Sequence, residues 1–173
     1  MSINNIAPLL VLGESTGIIK LETLDDFNAV DLSMVNQATR AIRIFTQDLD
    51  HPLYDTDEFV DSIAEVARKH RYTLIQILVI DSSKAVKLGH RLVELAKRLP
   101  SSVFIRKVHP DYANNSESFI LVDNKGLIRR PKADTLLGTA EFRANPSAQT
   151  KERYFMDVWE KSSEDPSLRR LSL

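Results

Sequence analysis

Leu74-Ile75-Gln76-Ile77-Leu78-Val79-Ile80 is a nearly unbroken apolar run, interrupted only by Gln76. A run of this length, rich in branched side chains and bounded by polar residues, is what a strand buried on both faces requires. Both flanks read as helix. Upstream, Asp55 and Glu58 precede Phe59, Val60, Ile63, Val66 and Ala67, an amphipathic pattern whose acidic start complements a helix N-terminus. Downstream, Asp81-Ser82-Ser83 is suited to cap a helix. Its Val86, Leu88, Leu92, Val93, Leu95, Ala96 and Leu99 form a broad apolar side, ended by Pro100.

The same alternation continues outward. Val30 to Arg40 suits a helix, with Val30, Met34, Val35 and Ala38 on one side, and Ala41-Ile42-Arg43-Ile44-Phe45-Thr46 alternates as a strand does. Val103-Phe104-Ile105, Phe119 to Val122 and Leu127-Ile128 predict three more strands, the last two joined by a tight hairpin at Asp123-Asn124-Lys125-Gly126. A closing helix from about Ser147 to Trp159 carries Tyr154, Phe155, Val158 and Trp159. The order implies an α/β fold, a mixed β-sheet sandwiched by helices. Right-handed crossovers are expected to put the two middle helices on one face, leaving the first and last for the other. Residues 1–20, with Gly13 and Gly17 among Asn, Ser and Thr, read as an N-terminal arm. Residues 21–162 read as a single domain, and 163–173 as a polar tail that Leu168, Leu171 and Leu173 would dock.

Composition narrows the chemistry. The 173 residues suffice for one domain with a sizeable core. The chain has no cysteine, which excludes disulfides, thiolate metal sites and a cysteine nucleophile. Its five glycines form neither G-x-G-x-x-G nor a phosphate-binding P-loop, so no cofactor is expected. With 23 Lys+Arg against 24 Asp+Glu, the net charge of −1 exerts no global pull on nucleic acid or anionic lipid. The N-terminal apolar run Ile6 to Leu12 is too short for a membrane span and poorly flanked for a signal peptide. A cytoplasmic location without membrane association is the expectation.

Two stretches carry a resemblance. Ser116-Glu117-Ser118-Phe119-Ile120-Leu121-Val122-Asp123 is similar to the H-x-K-x-x-x-x-D strand of the phospholipase D-like family, and Gly138-Thr139-Ala140-Glu141-Phe142 resembles that family's G-S-x-N-F turn. Tyr154-Phe155-Met156-Asp157-Val158-Trp159 is similar to its closing helix. The resemblance covers roughly residues 30–162 and implies a phospholipase D-like fold. It also implies that the chemistry is lost. The family uses the motif His as nucleophile and the Lys to hold phosphate charge, whereas here Ser116 and Ser118 stand in those places. Active members need a second motif, supplied by duplication or by a partner subunit, so a homodimer follows by analogy.

The remaining candidates each have a plainer alternative. His109-Pro110-Asp111 follows a strand at the sheet end where α/β proteins place ligands; the alternative is a loop histidine. Asp48-Leu49-Asp50-His51 is dense in acid, but Leu53 and Phe59 stand where a calcium loop needs Gly and Glu, so no metal is expected. Asp48 and Asp50 leave their strand at the same sheet end as His109 and are expected to line a cleft with it. Lys125, Arg129, Arg130 and Lys132 form the clearest basic cluster, a phosphate-binding surface on one reading and a charged edge hairpin on the other. The favoured reading is a non-catalytic module that binds a protein partner or small anionic ligand through Asp48, Asp50, His109, Ser116, Ser118 and Asp123. The alternatives are a nucleic-acid-associated accessory protein using Lys125, Arg129 and Arg130, and a weak phosphodiesterase with a site rebuilt around Asp48, Asp50, His109, Ser116 and Asp123.

Overall fold

The computed structural model describes residues 2–169. One seven-stranded sheet organises them: β1 (Ile19–Leu21), β2 (Ala41–Thr46), β3 (Leu74–Val79), β4 (Val103–Lys107), β5 (Ser118–Val122), β6 (Gly126–Arg130) and β7 (Gly138–Glu141), in the order β1-β7-β6-β5-β2-β3-β4. β2, β3 and β4 are parallel, while β5 is antiparallel to β2 and the pairings from β5 through β6 and β7 to β1 are antiparallel. The α/β mixed sheet sandwiched by helices is therefore present. The helices are α1 (Ile3–Ile6), α2 (Leu24–Val35), α3 (His51–Tyr54), α4 (Asp57–Lys69), α5 (Ser83–Leu88), α6 (Arg91–Arg98), α7 (Ser147–Lys161) and α8 (Pro166–Arg169).

The period of two along each strand divides the core between the sheet's faces. Ile42, Ile44, Ile75, Ile77, Ile120 and Ile128 pack with Phe27, Val30 and Met34 of α2, Phe59 and Ile63 of α4, and Leu92 and Leu95 of α6. On the opposite face Phe45, Leu78, Phe119, Leu121 and Leu127 meet Phe155, Val158 and Trp159 of α7, with the Phe45 and Phe119 rings stacked at 5.3 Å.

This corrects the expected sharing of helices. α2 lies with α4 and α6, and α7 alone covers the other face among the described elements. The reason is β1, too short to be read from sequence. Through the chain of antiparallel pairings β1 runs parallel to β2, so β1–α2–β2 is itself a crossover in the same direction across the sheet as β2–α4–β3. The right-handed rule then places α2 beside α4.

Local chemistry moves two further boundaries. α2 begins earlier than expected, because the Thr23 hydroxyl accepts from Asp26 N while the Asp26 carboxylate accepts from Thr23 N, a capping box. The single helix expected between Asp81 and Pro100 is two, broken where Gly89 adopts φ +74° and His90 caps α6 by accepting from Leu92 N at Nδ1. Leu88, read as core, consequently stands 69% exposed.

The two ends are tied down. Ser33 donates to Ala7 O (2.6 Å), and Gln37 donates to Leu10 O and accepts from Leu12 N, fastening residues 7–12 to α2. At the other end Lys107 N donates to Ser163 O and Leu168 is buried, while Arg170, Leu171 and Leu173 of the expected docking tail lie outside the described residues. No helix among the described residues is long and apolar enough to cross a membrane.

Gly138 starts β7 where a side chain has no room: a Cβ there would stand 2.2 Å from the Arg129 carbonyl oxygen and 2.9 Å from Phe27 Cζ. Gly138→Ala is therefore expected to destabilise the protein by about 2 kcal/mol or more, read as a lower denaturation midpoint in urea.

Candidate ligand-binding cleft

The sheet's direction reverses between β2 and β5, and this brings three chain segments to one end. Thr46, Gln47, Asp48 and Asp50 leave the end of β2, Ser116 precedes β5, and Arg130, Lys132, Ala133 and Asp134 lie at and beyond the end of β6; together they line a cleft of about 600 Å³. Its walls are fastened to one another. Gln47 Nε2 donates to Asn115 O (2.8 Å) and Glu117 O (2.9 Å), while Ala133 N donates to Ser116 O (2.8 Å). On the β2 side, Thr46 Oγ1 accepts from Leu49 N and Asp48 Oδ1 from Asp50 N, holding Leu49 and Asp50 at φ 69° and 30°.

Beneath the cleft is a buried group of charges. The Arg130 side chain is only 7% exposed; it ion-pairs with Asp50, donates to Thr135 O, and lies over the Phe27 ring at 5.7 Å. Asp31 of α2 is 1% exposed, and neither carboxylate oxygen has a hydrogen-bond partner. Burial raises the Asp31 pKa well above the usual carboxylate range; Arg130 opposes the shift and Asp50 adds to it. Burial likewise raises the Tyr54 phenol, and Asp31 reinforces this. One guanidinium thus faces two carboxylates, and the floor presents no excess positive charge.

The structure brings together Asp48, Asp50, Ser116 and Arg130 from the sequence-predicted set and separates the others. Ser118 is buried on β5 with its hydroxyl donating to Phe45 O (3.1 Å), so it does not line the cleft. His109 does not line it either. β3 and β4 set it two strands away from β2, where its Nδ1 accepts from Asp111 N to cap the turn Pro110–Tyr112. Asp123 sits at the opposite end of β5. Its carboxylate accepts from Thr39 N (2.9 Å), Thr39 Oγ1 (3.1 Å), Arg40 N (2.7 Å) and Ala41 N (2.9 Å), which organises the entry to β2.

The basic cluster does not form one surface. Successive strand residues face opposite sides, so Arg129 pairs with Glu117 beside α7 while Arg130 pairs with Asp50 beneath α2. Lys125 belongs to the hairpin at the far end of β6, near Gly13. No group of three or more His, Asp or Glu among the described residues is arranged to hold a metal ion. Sequence reasoning missed Asp31, Gln47 and Asp134. Asp31 had a legible signal, since it falls between Phe27 and Val35 at helical spacing, on the face that α2 buries.

This chain belongs to the family described as a domain of unknown function (DUF7931), which matches residues 23–171. No curated protein matches the sequence. Among solved structures it is similar to NucT from Helicobacter pylori (13% identity, TM-score 0.63, covering 87% of this chain and 99% of NucT). It is similar to TrmBL2, described as an archaeal chromatin protein with a novel mode of DNA binding (11% identity, TM-score 0.62, covering 94% of this chain and 59% of TrmBL2). It is also similar to phosphatidylserine synthase from Haemophilus influenzae Rd KW20 (12% identity, TM-score 0.58, covering 91% of this chain and 41% of the synthase). The chain thus spans less than two thirds of the TrmBL2 and synthase chains. At these identities the likeness is one of fold, and that fold is phospholipase D-like.

Two substitutions probe this arrangement. A carboxyl whose folded-state pKa is raised keeps its proton longer in the native state, so its ionisation lowers stability as pH rises from about 4 through the folded value. Asp31→Asn is accordingly expected to raise the melting temperature at pH 8, with the gain vanishing as pH approaches 4. Asp123→Ala removes an acceptor of four hydrogen bonds and should lower stability by about 2–4 kcal/mol in denaturant unfolding.

Proposed function

We propose that this chain is a non-catalytic module of phospholipase D-like fold that binds a small charged ligand in the cleft beside Ser116. The carrying observation is that the cleft is built and fastened while its lining holds a serine and no histidine among the described residues. Ser116 lines it, yet no histidine does among the described residues, and Asp50 in the lining is engaged by Arg130. No hydrogen bond joins the Ser116 hydroxyl to a base among the described residues, and an unactivated serine hydroxyl is a poor nucleophile. Ser118, which the resemblance sets where the family has its phosphate-holding lysine, carries no charge and donates a hydrogen bond to Phe45 O.

The charges of the lining narrow the ligand. Arg130 is already neutralised by Asp50, which leaves Lys132 as the cation of the lining without an ion-pair partner among the described residues. Asp48 and Asp134 line the same space without a cationic partner among the described residues. This set suits a ligand with an anionic group for Lys132 and an amine for the two carboxylates, a small zwitterion rather than a simple anion. A nucleic-acid role draws support only from the fold likeness to TrmBL2. Of the cations it needs, Arg129 and Arg130 are paired with Glu117 and Asp50 on opposite faces of β6, and Lys125 lies at the far end of that strand.

Calorimetric or NMR titration with O-phosphoethanolamine, against inorganic phosphate and ethanolamine separately, tests the assignment. Binding is expected for the zwitterion, weakened about tenfold by Lys132→Ala and by Asp134→Asn, a factor corresponding to about 1.4 kcal/mol. Hydrolysis of a generic phosphodiester that disappears in Ser116→Ala would overturn the non-catalytic reading.

A further inference from the structure

The loop that carries Asp48 and Asp50 into the cleft is gripped from its other side by a pair of histidines. His90 is 3% exposed and uses both ring nitrogens: Nε2 bonds to Leu49 O (2.8 Å), and Nδ1 accepts from Leu92 N (3.1 Å). A carbonyl can only accept and an amide N–H can only donate, so this geometry requires a neutral ring with its proton on Nε2. His51 answers from the other direction, its Nε2 donating to Gly89 O (3.0 Å). Its Nδ1 is buried without a partner. The two rings stand 4.7 Å apart, edge to face.

The contact is therefore reciprocal: the segment after β2 holds the break between α5 and α6, and that break holds the segment after β2. Both backbones are in left-handed conformations, Leu49 and Asp50 on one side and Gly89 on the other. For Leu49 and Asp50 such a conformation persists only where surrounding contacts impose it. Asp50 in turn reaches Arg130 on the cleft floor.

We infer that His90, packed against His51, is a pH-sensitive latch, which holds the Asp48–Asp50 loop in place while its ring is neutral and releases it when the ring takes a second proton. Protonation would place a hydrogen on His90 Nδ1, facing the Leu92 N–H it now accepts from. The Nε2–H can still donate to Leu49 O; the loop is freed because two facing N–H groups turn the ring out of its cap and carry Nε2 away from Leu49 O. The groups facing His90 are Asp48 on the loop, His51 on α3 and Asp55 after α3; Asp55 accepts from Arg91 N, and the Arg91 side chain pairs with Asp57. Burial, the largest influence, lowers the His90 pKa from its ordinary 6.5, against the Leu49 hydrogen bond and the nearby carboxylates. An unfolded chain then binds the proton more readily than the folded one. The latch's contribution is intact above pH 6.5 and is lost as pH falls through the folded-state value. The latch stands on its own geometry; its consequence for ligand affinity rests on the cleft reading above.

The test is an NMR titration of the full chain without ligand, from about pH 7.5 to pH 5, following the His90 ring nitrogens and the amides of residues 47–51 and 89–92. At the upper end the ring should show the Nε2–H tautomer. Both amide segments should then move with the ring's own midpoint, with amide exchange in the loop rising about tenfold or more below it. His90→Asn can still accept from Leu92 N but falls short of Leu49 O, so it should abolish the step in residues 47–51. Asp31→Asn, which removes the other displaced titration beneath Asp50, should leave the step in place. A His90 ring that titrates while residues 47–51 stay still overturns the latch, as does a step that survives in His90→Asn or vanishes in Asp31→Asn. Should His90→Asn not fold, tautomer and shared midpoint in the natural chain decide alone. Failure of the zwitterion to bind would remove the ligand reading without touching this ligand-free step.

Discussion

Where β2 meets β5, the parallel half of the sheet is joined to the antiparallel half, and that seam is made secure at both ends. Along it Ile42, Arg43, Ile44 and Phe45 pair with Val122, Leu121, Ile120 and Phe119. At one end the Asp123 carboxylate gathers the N–H groups of Thr39, Arg40 and Ala41. At the other, Ser118 bonds to Phe45 O and Gln47 spans to Asn115 and Glu117. An antiparallel pairing between strands distant in sequence closes a long loop, so its entropic penalty must be met by contacts of this kind. The cleft is a by-product of the same reversal. Chain ends that would be spread along a uniformly parallel sheet converge here, at the point where strand order changes direction.

The seam also explains how charge came to lie under an otherwise apolar sheet. β6 is paired to β5, and its last residue, Arg130, projects to the side of α2 while Arg129 projects to α7. A guanidinium carried beneath a helix must meet a carboxylate or remain costly to bury. Asp50 supplies one from a loop held in a left-handed conformation, and Asp31 supplies a second from α2. The second is in excess, and the consequence is a carboxyl that burial keeps protonated beyond the usual range. On the opposite face the same problem is solved at the rim. Glu117 takes both Arg129 and Lys151, and Arg43 reaches Gln76 and Glu152.

Much of this was legible in the residues. The strands β2 and β3, the hairpin after β5 and the helix α7 follow directly from period and punctuation, because each has enough residues to display a pattern. β1 has three residues and displays none, and that omission put α2 on the wrong face. The break at Gly89 was hidden by apolar residues continuing through it; Leu88 fits the stripe in sequence but lies exposed because the helix axis does not continue. In the site, Asp48, Asp50 and Ser116 were reachable from strand ends alone. Asp123 was not separable from them by motif, since only the direction of β5 shows that five strand residues place it at the far end of the sheet. The division of Arg129 from Arg130 was in principle available, because neighbours on a strand face opposite sides.

A cleft lined by Ser116, with no histidine in its lining among the described residues, differs from a phosphate site in more than reactivity. In a site built for phosphate, cations face outward and the carboxylates behind them keep those cations ionised. Here Ser118 makes a structural bond to the seam, and Arg130, a strong cation of the lining, is turned toward carboxylates below. The field in the cleft is therefore set by Asp48, Asp134 and Lys132 at its rim rather than by its floor. Rim charges are solvated and individually weak, so they select a ligand by the pattern of its charges more than by their number. Selectivity of that sort needs the rim held in register. The segment bearing Asp48 is the part of the rim whose backbone is left-handed, and it is held by Thr46, by Asp48 itself and by a buried histidine on the Leu49 carbonyl, so under the proposed latch the geometry that would choose a ligand answers to the protonation of that ring.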